Sequence, residues 1–234
     1  FGLLLLFITG QFFYKIFSKP DLKEVEKRNL YLISILFVAA TVFWSLYEQG
    51  GSTLNFFAEK NTNTQFLGNS FPSSWFQSLN PIYIMCLCPI FAAIWSGLGE
   101  NKVSNIVKFA IGLLFMSLGW CVMIFAAKEA QNGILVNPLW LATMYFLHAI
   151  GEMFVSPVGL SAVSKLAPQS MAGLTMGIWF LGSSIGSYIG GRVAGFYETF
   201  AIVDIFSTLA VVAIVASIAL GTLSRRLDAR LRHN

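Results

Sequence analysis

Residues 30–58 read LYLISILFVAATVFWSLYEQGGSTLNFFA, an apolar run that carries no charged residue before Glu48. A helix that spans a bilayer needs about 20 predominantly apolar residues, and this run meets that length. Backbone polar groups must be paired within the segment when it lies in lipid, so such a run crosses a membrane as a helix. The stretch therefore predicts a membrane-spanning helix with an acidic residue inside it.

The composition of the whole chain supports the same class. Hydrophobic residues make up 56% of its 234 residues, charged residues make up 11%, and the mean hydropathy is +0.70. Soluble domains carry about 25% charged residues, so this chain lacks the polar groups that would cover a water-facing surface. We expect an all-α membrane protein whose partner is the lipid bilayer.

Seven segments are apolar and long enough to be candidates for spanning helices. They are residues 1–18, 30–58, 74–98, 103–127, 138–164, 170–195 and 200–223. The expected fold is a six-helix bundle over residues 30–223, preceded by one linker helix in residues 1–19. Residues 20–29 form a cytoplasmic linker in this prediction, and residues 224–234 form a basic tail. Because the chain opens directly in an apolar run, we expect it to begin inside a larger protein.

The basic residues are distributed unevenly along the alternating path of these helices. Twelve of the 15 fall on one side: Lys15, Lys19, Lys23, Lys27, Arg28, Lys102, Lys108, Lys165, Arg225, Arg226, Arg230 and Arg232. The other side receives Lys60, Lys128 and Arg192. Such an excess marks cytoplasmic loops, so we expect a multi-pass protein of the cell (inner) membrane with a cytoplasmic C-terminus. The net charge of +4 is then a topology signal, and we expect no nucleic-acid partner.

The sequence gives no support to catalysis. It contains no recognisable nucleophile–base pair, phosphate-binding loop or metal-ligand cluster. Cys86, Cys88 and Cys121 lie in apolar stretches, where a free thiol behaves as a small hydrophobe. We therefore predict that the protein is not an enzyme and that it carries no metal site, disulfide or cofactor.

Two glutamates lie within apolar segments, where a charged group is costly. Glu48 follows Trp44 by four residues, so both project from one helix face. Glu152 lies between His148 and Ser156 at the same spacing, in a helix that Pro157 disturbs. Each acid is either a carboxyl group satisfied by a neighbouring helix or a proton or substrate site. For intramembrane acids we favour the second interpretation, and we read His148 as a structural residue.

Two other polar or aromatic positions stay open at this level. Asn80 precedes Pro81 at the start of the third segment, and its amide either bonds between helices or belongs to a site. Trp179 either faces lipid or forms a pocket wall. The segment around Trp179 carries two sets of glycines at four-residue spacing, which is typical of close helix packing. Gly173 and Gly177 form the first set, and Gly182, Gly186 and Gly190 form the second.

Three motifs resemble a known family. They are FWSLYEQGGSTLNFFA (43–58), SSWFQSLNPIYI (73–84) and GEMFVSPVGLSAVSKLAP (151–168). In this order they resemble the C-terminal half of the proton-dependent oligopeptide transporters of the major facilitator superfamily. Members of that family have two six-helix bundles, and bacterial members insert a helical hairpin between them. By this resemblance residues 1–18 are similar to the second hairpin helix, and the other six segments to helices seven to twelve.

The resemblance implies roles for the residues that match. It implies that the chain is part of a proton-coupled symporter that imports di- and tripeptides by alternating access, with H⁺ as the coupling ion. Glu48 is similar to the acid that couples protons and gates against a basic residue of the N-terminal bundle. Glu152 resembles the acid that receives the amino terminus of the peptide. The remaining substrate-site residues implied by the resemblance are Asn80, Ser156, Trp44 and Trp179.

The family's first-helix ExxER-type motif and fourth-helix lysine have no counterpart in this sequence. The expected partner is therefore an N-terminal six-helix bundle of the same polypeptide, without which we do not expect transport. Two alternatives remain open. The chain is part of a related carrier of another small solute, or it is a non-transporting helical membrane subunit that uses its glutamates for assembly.

Overall fold

The protein folds almost entirely into α-helices. The computed structural model describes residues 2–20, 22–66, 68–98, 103–197 and 199–232. The helices in these ranges are α1 (Gly2–Phe17), α2 (Glu24–Tyr47), α3 (Thr53–Asn61), α4 (Leu79–Leu98), α5 (Asn105–Ala130), α6 (Leu139–Leu166), α7 (Ala172–Ala194) and α8 (Ile202–Arg232). Two short strands, β1 (Gln65–Phe66) and β2 (Asn69–Ser70), pair antiparallel between α3 and α4. The predicted all-α fold is confirmed.

Five helical stretches within the described ranges are long and apolar enough to cross a bilayer. They are Glu24–Asn61, Ser73–Gly97, Asn105–Ala130, Leu139–Leu166 and Ile202–Arg225. The other two predicted segments are also helical. Helix α1 is shorter, with 16 residues, and α7 has 23 residues with many glycines and serines among them. Both pack on the rest of the bundle, because α1 contacts α7 and α7 lies along α2.

Two helices extend beyond the apolar segments that predicted them. Helix α2 begins at Glu24, inside the predicted linker, because the Glu26 carboxylate accepts a hydrogen bond of 2.9 Å from the Lys23 backbone N–H. Helix α8 continues to Arg232, into the predicted tail, whose last two residues lie outside the described residues. Leu, Arg and Ala are strong helix formers, so a helix need not end where its apolar run ends.

Helix α5 is the central element of the packing. It lies along α6 on one side and along α8 on the other. Ser117 Oγ of α5 donates to the Ala210 carbonyl of α8 over 3.2 Å, and Ser217 Oγ of α8 donates to the Ala110 carbonyl over 2.7 Å. The two bonds run in opposite directions between antiparallel helices. Hydrogen bonds of this kind help to join helices in lipid, where no hydrophobic force drives their association.

The connections between helices group at two ends of the bundle. At one end, the Asn63 backbone N–H donates to the Val136 carbonyl over 2.9 Å, and the Tyr197 hydroxyl approaches Asn61 Oδ1. At the other end, Lys19 Nζ donates to Ser170 Oγ over 2.6 Å, joining the segment after α1 to the start of α7. The count of basic residues on each side assumed that successive helices alternate between two ends, and this grouping is compatible with that assumption.

Glycines hold α7 close to α2. A Cβ added at Gly186 would lie 2.6 Å from Trp44 Cβ and 2.9 Å from the Thr41 carbonyl oxygen. Gly182 and Gly190 make comparable approaches to α2. The packing interpretation is confirmed for these three glycines. It does not extend to Gly173 and Gly177, where an added Cβ would meet nothing within 4 Å.

Replacing Gly186 with alanine is expected to lower thermal stability. The new methyl group would overlap backbone atoms of α2, and overpacking of this kind costs about 1–3 kcal/mol. We expect the apparent Tm of the purified protein in detergent to fall by several degrees. Gly191→Ala is the matched control, because Gly191 lies on the same helix with open space at its Cβ position. Equal stability of the two variants would contradict the assigned contact.

Candidate functional site

The helix that contains Glu48 is broken at that residue. The predicted segment 30–58 lies within the spanning stretch Glu24–Asn61, but in that stretch α2 ends at Tyr47 and a 3-10 helix, Glu48–Gly51, precedes α3. The consecutive glycines Gly50 and Gly51 explain the break because glycine is a poor helix former. Short 3-10 stretches within a helix often mark a functional hinge.

Gln49 satisfies polar groups around this break. Its side chain is fully buried, and Nε2 donates to the Gly190 carbonyl of α7 over 2.9 Å and to the Ser45 carbonyl over 3.2 Å. Its Oε1 accepts a hydrogen bond of 2.6 Å from Thr53 Oγ1 at the start of α3. On the opposite side, the Tyr145 hydroxyl of α6 donates to the Gly50 carbonyl over 3.0 Å. The break is thus held by hydrogen bonds to two neighbouring helices, from the Tyr145 side chain of α6 and to the Gly190 backbone of α7.

Glu48 lies where α2 faces α7. Its side chain is exposed, and Oε1 accepts a hydrogen bond of 3.0 Å from Ser187 Oγ. The same hydroxyl also lies 3.1 Å from the Ser183 carbonyl. Because a serine hydroxyl has one proton, Ser187 can donate either to the carboxylate or to its own helix. The sequence did not single out Ser187, since nothing in a glycine-rich segment tells which serine will meet α2.

A second acid lies in a cluster formed by three helices. The Asn80 amide, in the first turn of α4, donates from Nδ2 to the Tyr47 hydroxyl oxygen over 2.5 Å and to Glu152 Oε2 of α6 over 3.2 Å. Tyr47 and Glu152 thus share the Asn80 amide nitrogen as their common donor. The structure therefore brings Asn80 and Glu152 together, as the sequence interpretation required. Tyr47, which the sequence reasoning missed, completes the cluster.

Two polar atoms of this cluster and its surroundings have no hydrogen-bond partner among the described residues. Asn80 is buried, and its Oδ1 has no hydrogen-bond partner among the described residues. The hydroxyl of Ser156, one turn beyond Glu152, is likewise buried and without a partner in the described part of the chain. Buried polar atoms of native proteins are nearly always paired, so unpaired atoms next to a carboxylate indicate room for a polar ligand.

Aromatic rings surround Tyr47. The Tyr47 ring is stacked against Phe43 and against His148 with centroid distances of 5.9 Å and 6.5 Å. The Trp44 ring meets it edge-on at 5.1 Å. His148 itself is buried and also meets the Trp120 ring edge-on at 5.4 Å, an environment compatible with its interpretation as a structural residue. Trp44 is partly exposed beside the cluster, in a position compatible with its predicted role as a wall.

Trp179 has a different environment. Its ring contacts the position of Gly159 on α6, where no Cβ would fit, and it meets the Phe109 ring of α5 edge-on at 6.2 Å. Only 7% of the residue is exposed. Its observed contacts join three helices, and the pocket-wall role stays a prediction.

An apolar pocket of about 750 Å³ opens at the start of α4. Leu79, which precedes Asn80 in the chain, forms part of its wall, but Tyr47, Asn80 and Glu152 are not among its lining residues. The lining residues are Asn69, Ser70, Phe71, Trp75, Phe76, Ser78, Leu79 and Ile82.

A helical membrane bundle with a broken helix and unpaired polar atoms beside intramembrane acids is typical of secondary transporters. This chain belongs to the POT family, whose model, PTR2, matches residues 4–212.

Individual relatives agree with the family assignment. Peptide transporter YePEPT of Yersinia enterocolitica is 37% identical over 192 residues, covering 80% of this chain and 37% of the relative. Dipeptide and tripeptide permease A of Chromobacterium violaceum is 40% identical over 174 residues, covering 74% of this chain and 35% of the relative. A solved POT family transporter in complex with 5-aminolevulinic acid matches with a TM-score of 0.86 at 27% identity, covering 96% of this chain and 46% of that one. The chain thus spans less than half the length of each.

Proposed function

We propose that this chain forms the C-terminal bundle of a proton-coupled symporter that imports di- and tripeptides. In this proposal a second six-helix bundle of the same polypeptide completes the protein, which we refer to as the intact transporter. Residues 30–223 would correspond to helices seven to twelve, and residues 1–19 to the second helix of an inter-bundle hairpin. The relatives are more than twice as long as the matched region, which supports a two-bundle protein.

One observation carries the proposal: the cluster of Tyr47, Asn80 and Glu152 presents a carboxylate and an unpaired amide oxygen at one point. Both atoms are acceptors, so they suit a ligand group that brings N–H donors and a positive charge. The amino terminus of a peptide is such a group. An ion pair is strong there because the surroundings are desolvated.

Glu48 would serve as the proton-coupling and gating residue. It is the exposed acid of the two, at the hinge between α2 and α3, and its neighbour Ser187 can release it to another partner. In its charged form Glu48 would pair with a cation of the second bundle and hold a gate closed. Protonation would remove the charge and open that gate, so the coupling ion would be H⁺ and no cofactor is needed.

The same site supports a second candidate, a carrier of another small amino-bearing solute. The solved relative with bound 5-aminolevulinic acid favours this alternative, since that ligand is not a peptide.

In both cases the proposed location is the cell (inner) membrane. We infer a cytoplasmic C-terminus from the charge asymmetry, and the observed grouping of the connections is compatible with it.

Competition for uptake separates the two candidates. We expect unlabelled di- and tripeptides to reduce uptake of a labelled dipeptide by the intact transporter, and single amino acids to leave it unchanged. The reason is that a single amino acid holds its carboxylate too close to its ammonium group for the two termini to reach separate contacts at once. Uptake of labelled 5-aminolevulinic acid that peptides do not inhibit, with no uptake of the labelled dipeptide, would instead establish the second candidate. A non-transporting subunit would give no substrate-dependent uptake at all.

A further inference from the structure

Tyr47 occupies a position that the proposed mechanism does not use. It is the last residue of α2, and its hydroxyl reaches Asn80 of α4, which in turn bonds Glu152 of α6. A phenol oxygen accepts hydrogen bonds and its single proton donates one. Here the oxygen accepts from Asn80, and the proton is available for the Glu152 carboxylate.

These bonds fix the orientation of the Asn80 amide. Its NH₂ group has two protons, and both are used, by the Tyr47 oxygen and by Glu152 Oε2. With the nitrogen held in this way, Oδ1 points away from both partners and remains the unpaired buried acceptor. If the amide rotated by half a turn, its oxygen would face the carboxylate, and two acceptors would oppose each other.

A ligand ammonium would compete with the Asn80 amide for the oxygens of Glu152. When Glu152 bonds a ligand cation, its oxygens turn toward that cation and their hold on the Asn80 amide weakens. The Tyr47 oxygen is the partner that remains. The Tyr47 ring is itself held by stacking on Phe43 and His148, so its hydroxyl has a defined place.

We propose that Tyr47 is a positioning and specificity-determining residue of the ammonium site. It holds the Asn80 amide so that the ligand meets an acceptor, Oδ1, and not the NH₂ donors. The site then selects a group with N–H donors and a positive charge. This inference rests on the proposed function, because it takes the ligand ammonium to lie between Glu152 and Asn80.

The test is a double-mutant cycle in the intact transporter, measured as the KM for uptake of a dipeptide with a free amino group. Tyr47→Phe is expected to raise KM by about tenfold, the value of one well-formed hydrogen bond, with the maximal rate preserved. Asn80→Ala is expected to raise KM as well. Because Tyr47 acts through Asn80, Tyr47→Phe should have no further effect in the Asn80→Ala background.

Tyr197→Phe is the matched control. It removes a tyrosine hydroxyl from the same bundle, but that hydroxyl lies 3.5 Å from Asn61 Oδ1, away from the cluster and from Glu48. It is expected to leave KM unchanged.

Two results would overturn the proposal. One is a KM for Tyr47→Phe within twofold of wild type, and the other is full additivity of the two substitutions, which would make Tyr47 an independent contact. Either result could occur in a transporter whose Glu152→Gln variant has lost dipeptide affinity. A failure of the proposed function is different, because Glu152→Gln would then leave the affinity unchanged.

Discussion

Replacing Glu152 with glutamine is expected to weaken binding of a free-amino dipeptide to the intact transporter by about a hundredfold. The substitution keeps the shape of the side chain and its capacity to accept from Asn80, but it removes the negative charge. Removing one partner of a buried, hydrogen-bonded charge pair costs about 2–5 kcal/mol, because the other charge is left uncompensated. The measurement is the inhibition constant of the dipeptide against uptake or against binding of a labelled ligand.

Glu59→Gln is the control for this experiment. Glu59 is an exposed residue of α3, so its replacement makes the same change of charge away from the cluster. Dipeptide affinity should be unchanged in this variant. If Glu152→Gln bound the dipeptide as tightly as wild type, the assignment of Glu152 to the ligand ammonium would be wrong.

Replacing Glu48 with glutamine is expected to abolish proton-driven uptake while exchange of substrate across the membrane continues. Glutamine resembles the protonated acid, accepts from Ser187 as the acid does, and cannot release a proton. The gate would therefore respond to substrate but not to the proton gradient. The measurement compares uptake driven by a pH gradient with counterflow, in which labelled substrate exchanges for unlabelled substrate without net proton movement.

The two assays must diverge for the assigned role to hold. Glu48→Asp, which keeps a titratable group at the same position, should recover part of the proton-driven uptake. Loss of counterflow together with preserved proton-driven uptake in Glu48→Gln would contradict the proton-coupling role. Equal loss of both activities, with normal protein in the membrane, would make Glu48 a substrate or structural residue.

Much of the site could be foreseen from residue chemistry. A carboxyl group in an apolar segment is costly wherever the helix lies, so Glu48 and Glu152 stood out without a structure. The adjacency of Asn80 and Glu152 rested on family resemblance, and the structure shows the 3.2 Å hydrogen bond between them. Tyr47 could not be found in this way, because a tyrosine in an apolar helix end is ordinary and its partners are far along the chain.

Packing detail was likewise beyond the sequence. Two sets of glycines repeat at four-residue spacing along α7, Gly173 with Gly177 and Gly182 with Gly186 and Gly190, yet only the second set lies against α2. Which face of a helix meets a neighbour depends on where that neighbour lies. For the same reason the sequence did not indicate that Ser187 belongs to the site. Nor could the spacing of Trp179 along the chain show that its ring contacts the Gly159 position.

The sequence by itself determined the class of this protein, the position of its helices and the two acids that need a function. Those properties follow from local chemistry, since the cost of a polar group in lipid depends on the segment that carries it. Only the tertiary structure decided that the helix of Glu48 breaks at that residue, and that Tyr47, Asn80 and Glu152 form one cluster. A contact between distant residues depends on the packing of whole helices, and no spacing along the chain records it.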